Sequence, residues 1–306
     1  MPAEFKSLFD LQRAIPDEQA AIDHFTAIRW KDGEFCPLCG SKRRIFHFSD
    51  KKNHKCGDCR RRFSIKVGTI FQDTKMPLQK WLMAVWLLTS HKKGMASTTL
   101  ARDLAVTQKT AWFMLHRLRH AALTKSFNAP LDGTVEVDET FVGGKEKNKH
   151  ASDRVGGTQG GKGKAVVLGL LDRDGDLRTV HTTNLRGANV KGIVAENVEP
   201  GSTVMTDEHV SFMGLAKHYA HLAVNHSYGE YVREGGIHTN GIEGVWGLFK
   251  RQIIGIHHVI SKKHLSRYLD EMTWRYNRRQ QREGERVDSL LSATNGKRLT
   301  YKVLIA

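Results

Sequence analysis

Four cysteines, the only ones in the 306-residue chain, stand as two pairs: Cys36-Pro37-Leu38-Cys39 and Cys56-Gly57-Asp58-Cys59, with sixteen residues between the pairs. Each C-x2-C turn can aim two thiolates at one point, and two such turns complete a tetrahedral, all-cysteine zinc site. Two disulfides would need an oxidising compartment, which nothing in the chain suggests. Four thiolates leave no open coordination position, so one Zn2+ ion is expected in a structural role. Arg43-Arg44-Ile45-Phe46-His47-Phe48 and Phe63-Ser64-Ile65 read as short strands around the knuckles, the plan of a zinc ribbon. Lys51, Lys52, Lys55 and Arg60, Arg61 and Arg62 surround it, as contact with a phosphate backbone requires.

The charge distribution supports a polyanionic partner. The chain carries 48 Lys/Arg against 32 Asp/Glu, a net charge of +16. Residues 1–130 hold 23 basic and 11 acidic side chains, a net of +12, and the rest hold 25 and 21, a net of +4. A basic front with a nearly balanced body behind it fits a nucleic-acid-reading module joined to a second function. Hydrophobic residues make up 40% of the chain, too many for a disordered protein. The longest nearly apolar stretch, residues 81–89, is far short of the roughly 20 residues that span a bilayer. No secretory pattern opens the chain, so a cytoplasmic, nucleoid-associated protein is expected.

A second DNA-binding candidate follows the ribbon. Residues 76–89 form a helix-like apolar run, and after Lys92-Lys93-Gly94 come two short helical segments. Leu100 and Leu104 share one face, as do Ala111, Leu115 and Leu118. Thr107 can cap the second segment. This is the pattern of a helix-turn-helix, with Gln108, Lys109, Thr110 and Trp112 near the start of the recognition helix.

The second half places acidic residues at particular points. Thr134-Val135-Glu136-Val137-Asp138-Glu139-Thr140 reads as a strand ending in carboxylates at a site. Residues 166–171 and 177–182 form a hairpin across Asp172-Arg173-Asp174-Gly175-Asp176. Residues 190–198 read as a helix, and Thr203-Val204-Met205-Thr206-Asp207 as a strand ending in an aspartate. The stretch from Asn240 onward reads as a helix on which Glu243 and Lys250, seven apart, share a face with Trp246 close by. Two aspartates and one glutamate could hold two divalent ions through oxygen, an arrangement suited to in-line displacement at phosphorus.

With 35 residues between Asp207 and Glu243 and a lysine seven beyond, the pattern resembles the acidic triad of DDE transposases and retroviral integrases. Val135-Glu136-Val137-Asp138-Glu139-Thr140, Met205-Thr206-Asp207-Glu208-His209, Ile237-His238-Thr239-Asn240-Gly241-Ile242-Glu243-Gly244 and Trp246-Gly247-Leu248-Phe249-Lys250-Arg251 are similar to bacterial insertion-sequence transposases with an N-terminal zinc ribbon. So are residues 261–271 and Arg275-Tyr276-Asn277-Arg278. The resemblance implies an α/β (α+β) catalytic domain with a ribonuclease-H-like mixed sheet and flanking helices. It implies Asp138, Asp207 and Glu243 as ligands of two Mg2+ or Mn2+ ions, with Lys250, and Arg251 beside it, on DNA. Relatives carry Glu, Asn or His at the third ligand position, where this chain offers His238, Asn240 and Glu243. The spacing to Lys250 favours Glu243, with Asn240 in reserve. The implied reaction cleaves a phosphodiester at an element end and joins the freed 3′-hydroxyl to target DNA. The ribbon and helix-turn-helix would read the terminal inverted repeats, and cutting two ends together implies a homodimer or larger assembly.

The expected organisation is a zinc-ribbon region over 1–70 with its core at 33–67, a helical domain over 71–128, a catalytic domain over 129–285 and a C-terminal tail over 286–306. Residues 156–162 fit G-x4-G-K, but Gly163 stands where a P-loop needs Ser or Thr, so 143–164 reads as a glycine- and lysine-rich loop that closes on DNA. Asp172, Asp174 and Asp176 lack the later glutamate of a calcium loop and fit a hairpin turn better. His209, His226 and His238 read as structural histidines near the site. Residues 264–279 read as an amphipathic helix with a basic face. Two rival functions use the same features: a transcription regulator with an inert body, and a metal-dependent nuclease that cleaves without joining.

Overall fold

The computed structural model describes residues 5–123, 129–144, 150–154, 161, 163–173, 175–225 and 232–306. The expected loop at 143–164 falls largely outside these residues, as do Asp174 and His226. The chain divides into two compact units: Met1–Thr124 with Arg278–Ala306, and Lys125–Asn277.

The first unit opens with two helices that the sequence reading did not anticipate, α1 (Leu8–Ala14) and α2 (Glu18–Arg29). Each starts at a polar cap: the Ser7 side chain accepts from the Asp10 N–H, and the Asp17 side chain from the Ala20 N–H. Three short antiparallel strands follow, β1 (Ile45–His47), β2 (Asn53–Cys56) and β3 (Arg62–Ser64), with β2 in the middle. Helix α3 (Leu78–Ser90) matches the apolar run and buries residues around its whole circumference, among them Trp81, Leu82, Val85 and Leu88. Its Trp81 ring meets Phe71 edge-on at 5.1 Å, and Phe71 meets Phe25 of α2 at the same distance. Helices α4 (Ser97–Asp103) and α5 (Gln108–Ala122) are joined by a tight turn in which Ala105 adopts φ 49. Leu100, Leu104, Ala111, Leu115 and Leu118 are all buried, and the Thr107 side chain caps α5 by accepting from Thr110 N–H.

The expected tail is corrected. The expected boundary at residues 285 and 286 falls inside a helix, α9 (Glu283–Ser292), whose Val287, Leu290 and Leu291 are buried in the first unit. The chain then pairs Asn295 with Thr69, sends Lys297 Nζ to the Ala121 carbonyl at 2.7 Å, and ends in α10 (Tyr301–Ile305). Ten residues with three dispersed apolar side chains give a weak helical signal by themselves. Burial against α2 and α3 is what decides their place.

The second unit is a mixed five-stranded sheet. Its strands are β4 (Thr134–Val142), β5 (Ala165–Asp172), β6 (Leu177–Thr182), β7 (Thr203–Asp207) and β8 (Ala220–Val224), in the order β6-β5-β4-β7-β8. The first three are antiparallel neighbours, whereas β4, β7 and β8 run parallel. This is the expected ribonuclease-H-like arrangement. Helix α6 (Gly187–Asn197) covers one face, where Val190 and Val194 pack with Val135, Val137, Leu168 and Leu170. Helices α7 (Asn240–Gln252) and α8 (Leu265–Asn277) cover the other with Trp246, Phe249, Leu269 and Met272 against Val167 and Leu177. Alternation along β4 therefore sends Val135 and Val137 to α6, and Glu136 and Asp138 to α7.

Candidate functional site

The four cysteines come together. Cys36 Sγ lies 3.8 Å from Cys59 Sγ, and Cys39 Sγ lies 3.7 Å from Cys56 Sγ. All four sulfurs lie within 4.8 Å of one another. Bonds of about 2.3 Å to a tetrahedral zinc ion space sulfurs about 3.8 Å apart. A disulfide needs about 2 Å. The set fits one zinc ion and excludes bridges. Hydrogen bonds from the Arg61 backbone N–H and guanidinium pull the Cys59 thiol down to about 6, toward the thiolate that zinc needs. Arg61 also donates to the Leu38 carbonyl at 2.7 Å, which ties one knuckle to the other. Arg60, Arg61 and Arg62 are all exposed, with the Arg62 guanidinium over the Phe48 ring.

The carboxylates lie in the second unit. Asp138 is not at the end of its strand as expected. It is mid-strand, because β4 continues to Val142 while its partner β7 stops at Asp207. The last parallel rung pairs Glu136 with Met205, and Asp138 and Asp207 each stand two residues beyond it. Burial, Glu139 and Asp207 together push the Asp138 carboxyl up to about 7. Its Oδ2 accepts a hydrogen bond of 3.0 Å from Trp246 Nε1 of α7. The indole reaches that position across Gly169, the cross-strand partner of Asp138. Glu139 was not among the expected ligands. Burial and Asp207 push it up to about 7 as well, and its Oε2 is buried without a hydrogen-bond partner among the described residues. Its signal in the sequence was adjacency to Asp138 alone.

Glu243 and Asn240 lie exposed in the first turn of α7, and the Thr239 hydroxyl donates to Glu243 Oε1 at 3.1 Å. Lys250 and Arg251 are exposed in its last turn. Two helical turns, about 10 Å, separate Glu243 from Lys250 along the helix. His238 is engaged by Arg173, and the His209 ring by Ser211. Among the described residues the four cysteines are the only set of three or more candidate ligands gathered closely enough for one ion, so Asp138, Asp207 and Glu243 are not drawn together. Like charges at close range repel. In the helical pair, Gln108 and Lys109 are exposed and Thr110 half-buried. Gln108 Nε2 reaches Ser97 Oγ at 2.8 Å, and Lys109 Nζ sits over the Tyr301 ring.

The raised Asp138 carboxyl has a consequence for the metal-free protein. Its folded value, about 7, lies above the ordinary 3.8, so ionisation opposes folding. The neutral Asp138 carboxyl leaves the fold unpenalised below pH 4, and its ionisation costs roughly 2–4 kcal/mol of stability as pH climbs through 7. Asp138→Asn is expected to match the parent's melting temperature near pH 4 and to exceed it progressively up to pH 8. A gap that does not change with pH would rule this account out.

Residues 130–277 match the family model of the ISXO2-like transposase domain, and residues 16–62 match that of the transposase zinc-ribbon domain. The chain belongs to the ISXO2-like transposases. A protein in transposable element ISH50 of Halobacterium salinarum is 28% identical over 268 residues, which are 82% of this chain and 88% of that protein. A transposase-like protein of Haemophilus influenzae is 34% identical over 100 residues, 32% of this chain and 79% of that one. The transposase thus joins a zinc-binding ribbon to a ribonuclease-H-like domain, and its family implies DNA as partner. Among the described residues no helix is long and apolar enough to cross a membrane.

Proposed function

We propose that this transposase hydrolyses phosphodiester bonds at the ends of its own insertion sequence with water, and that the freed 3′-hydroxyl then attacks a phosphodiester of target DNA, forming a new P–O bond as the target strand's 3′-oxygen leaves. The observation that carries the reading is the crowding of Asp138, Glu139 and Asp207, with Asp138 and Glu139 both raised to about 7. Half-buried carboxylates that raise one another's pKa fit a hard divalent cation better than solvent. Asp138, Asp207 and Glu243 would hold Mg2+ or Mn2+, with Asn240 the reserve for the third place. The bound cations would supply Lewis acidity at the scissile phosphate and lower the pKa of the attacking hydroxyl.

The remaining work belongs to the chain. Trp246 holds Asp138 in one orientation through Oδ2. Thr239 orients Glu243 in the same way. Lys250 and Arg251, about two turns beyond Glu243, would grip the phosphates flanking the scissile bond. The ribbon, through Arg60, Arg61 and Arg62, and α5, through Gln108, Lys109 and Thr110, would read the terminal inverted repeats in helix-turn-helix fashion. Acting on two ends at once calls for at least two copies on DNA.

Asp207→Asn tests the reading. Gel-shift binding to a duplex of the element's terminal repeat is expected to survive within about threefold, while Mg2+-dependent cleavage and joining fall below detection. Parent protein that binds this duplex but never cuts it with Mg2+ or Mn2+ is a regulator. Parent protein that cuts without joining is a nuclease.

A further inference from the structure

Helix α7 begins without a cap of its own. Its N-cap residue, Thr239, makes no side-chain capping bond, because its hydroxyl is turned to Glu243. The N–H groups of the first turn would then lack partners. One of them, Ile242 N–H, is met from outside the helix by Glu136 of β4, whose Oε2 accepts it at 2.9 Å. Glu136 is 1% exposed. Its Oε1 accepts from Arg173 Nε at 2.8 Å, so the buried charge is paired as well as hydrogen-bonded.

Arg173 extends the same grip backward along the chain. Its NH1 donates to the Gly236 carbonyl at 2.8 Å, and its NH2 lies 2.9 Å from both the His238 carbonyl and His238 Nδ1. A guanidinium only donates, so His238 Nδ1 accepts and the ring proton sits on Nε2. The 3.3 Å approach of His238 Nδ1 to Glu136 is therefore proximity and not a hydrogen bond. Gly241 permits the arrangement: a Cβ there would lie 2.8 Å from Glu136 Oε2.

We propose that Glu136 and Arg173 are positioning residues that register α7, and with it Glu243, against the strand that carries Asp138. Glu136 stands two residues before Asp138 on the same face of β4, so one strand carries one ligand and fixes the helix that carries another. The proposal rests on Glu243 as a catalytic carboxylate. A negative charge at the helix N-terminus also favours the helix through its dipole, and the carboxylate replaces a flexible local cap by a fixed tertiary one. His238, one of the sequence alternatives for third ligand, is committed to this clamp.

Glu136→Gln in the full chain tests it, since an amide must turn an N–H toward either Arg173 or Ile242. Two measurements need no turnover: amide hydrogen exchange over residues 236–246 without metal, and Mn2+ affinity by paramagnetic resonance. Exchange is expected to accelerate at least tenfold in that segment alone. Mn2+ affinity and single-turnover cleavage are each expected to fall 10–100-fold, the range for removing a residue that orients a ligand. Arg173→Lys, which keeps the charge but loses the fork, is expected to lie in between and serves if Glu136→Gln does not fold. Unchanged exchange, or unchanged Mn2+ affinity with a general loss of melting temperature, would overturn the proposal. Glu243→Gln separates the two ideas: if it leaves Mn2+ affinity and cleavage intact, the assignment of Glu243 fails whatever the clamp variants do.

Discussion

Removing zinc is expected to unfold the ribbon outright. The three strands have three or four residues each, and few side chains between the knuckles are buried besides Cys36, His54, Cys56 and Phe63. So small a core cannot hold itself together. Structural zinc contributes on the order of 10–16 kcal/mol in isolated zinc domains, more than the whole stability of most folds. The loss should spread into α2. Arg29 donates to the Ile65 and Val67 carbonyls just beyond β3, and reaches Asn295 Oδ1 at 3.3 Å. Burial lowers its pKa to about 10, the mark of a cation that depends on those acceptors. Chelation, or Cys56→Ser, should open residues 36–64 to limited proteolysis and abolish terminal-repeat binding together. If proteolysis is unchanged once zinc loss is verified by elemental analysis, the metal is not structural.

The second large effect is expected from Gly169→Ala. A Cβ at this position would lie 2.5 and 2.7 Å from Trp246 ring atoms and 2.8 Å from Ile242 Cδ1. The indole cannot yield cheaply, because it is buried and its Nε1 is bonded to Asp138. Helix α7 must move off the sheet, at about 3 kcal/mol or more. That corresponds to a fall of roughly 6–12 °C in melting temperature. Cleavage should fall further than stability does, since the same shift takes Glu243 away from Asp138. Adding Trp246→Phe, a smaller ring, should recover part of the melting temperature but not the activity, because phenylalanine cannot donate to Asp138. A Gly169→Ala protein that melts with the parent would show that α7 is not seated on this glycine.

Local chemistry made the elements legible. The C-x2-C pairs have one economical use, β4 and β5 carry dense β-branched and aliphatic runs, and the 3.6-residue spacing of Leu100, Leu104, Ala111, Leu115 and Leu118 marks buried helix faces. Helices α1 and α2 were missed because their apolar faces are short and interrupted, although Ser7 and Asp17 are ordinary N-caps. The C-terminal residues were missed because α9 and α10 owe their place to burial in the first unit. Motif likeness singled out Asp138, Asp207, Glu243 and Lys250 as candidates. It was silent on Trp246 as the donor to Asp138, and on Gly169 as the space that donor needs.

The sequence by itself determined where the candidate residues stand: four thiolates at zinc spacing, and carboxylates at intervals that resemble those of a transposase. Those properties belong to residue types and their separation along one chain. Only the tertiary structure decided how the carboxylates are held. Glu136 looked like one more acidic residue in a strand and Arg173 like part of a turn, yet they meet 37 positions apart to cap a helix that starts more than a hundred residues after Glu136. A buried charge is tolerable only where its partners converge, and convergence is a property of the folded sheet that spacing along the chain does not record.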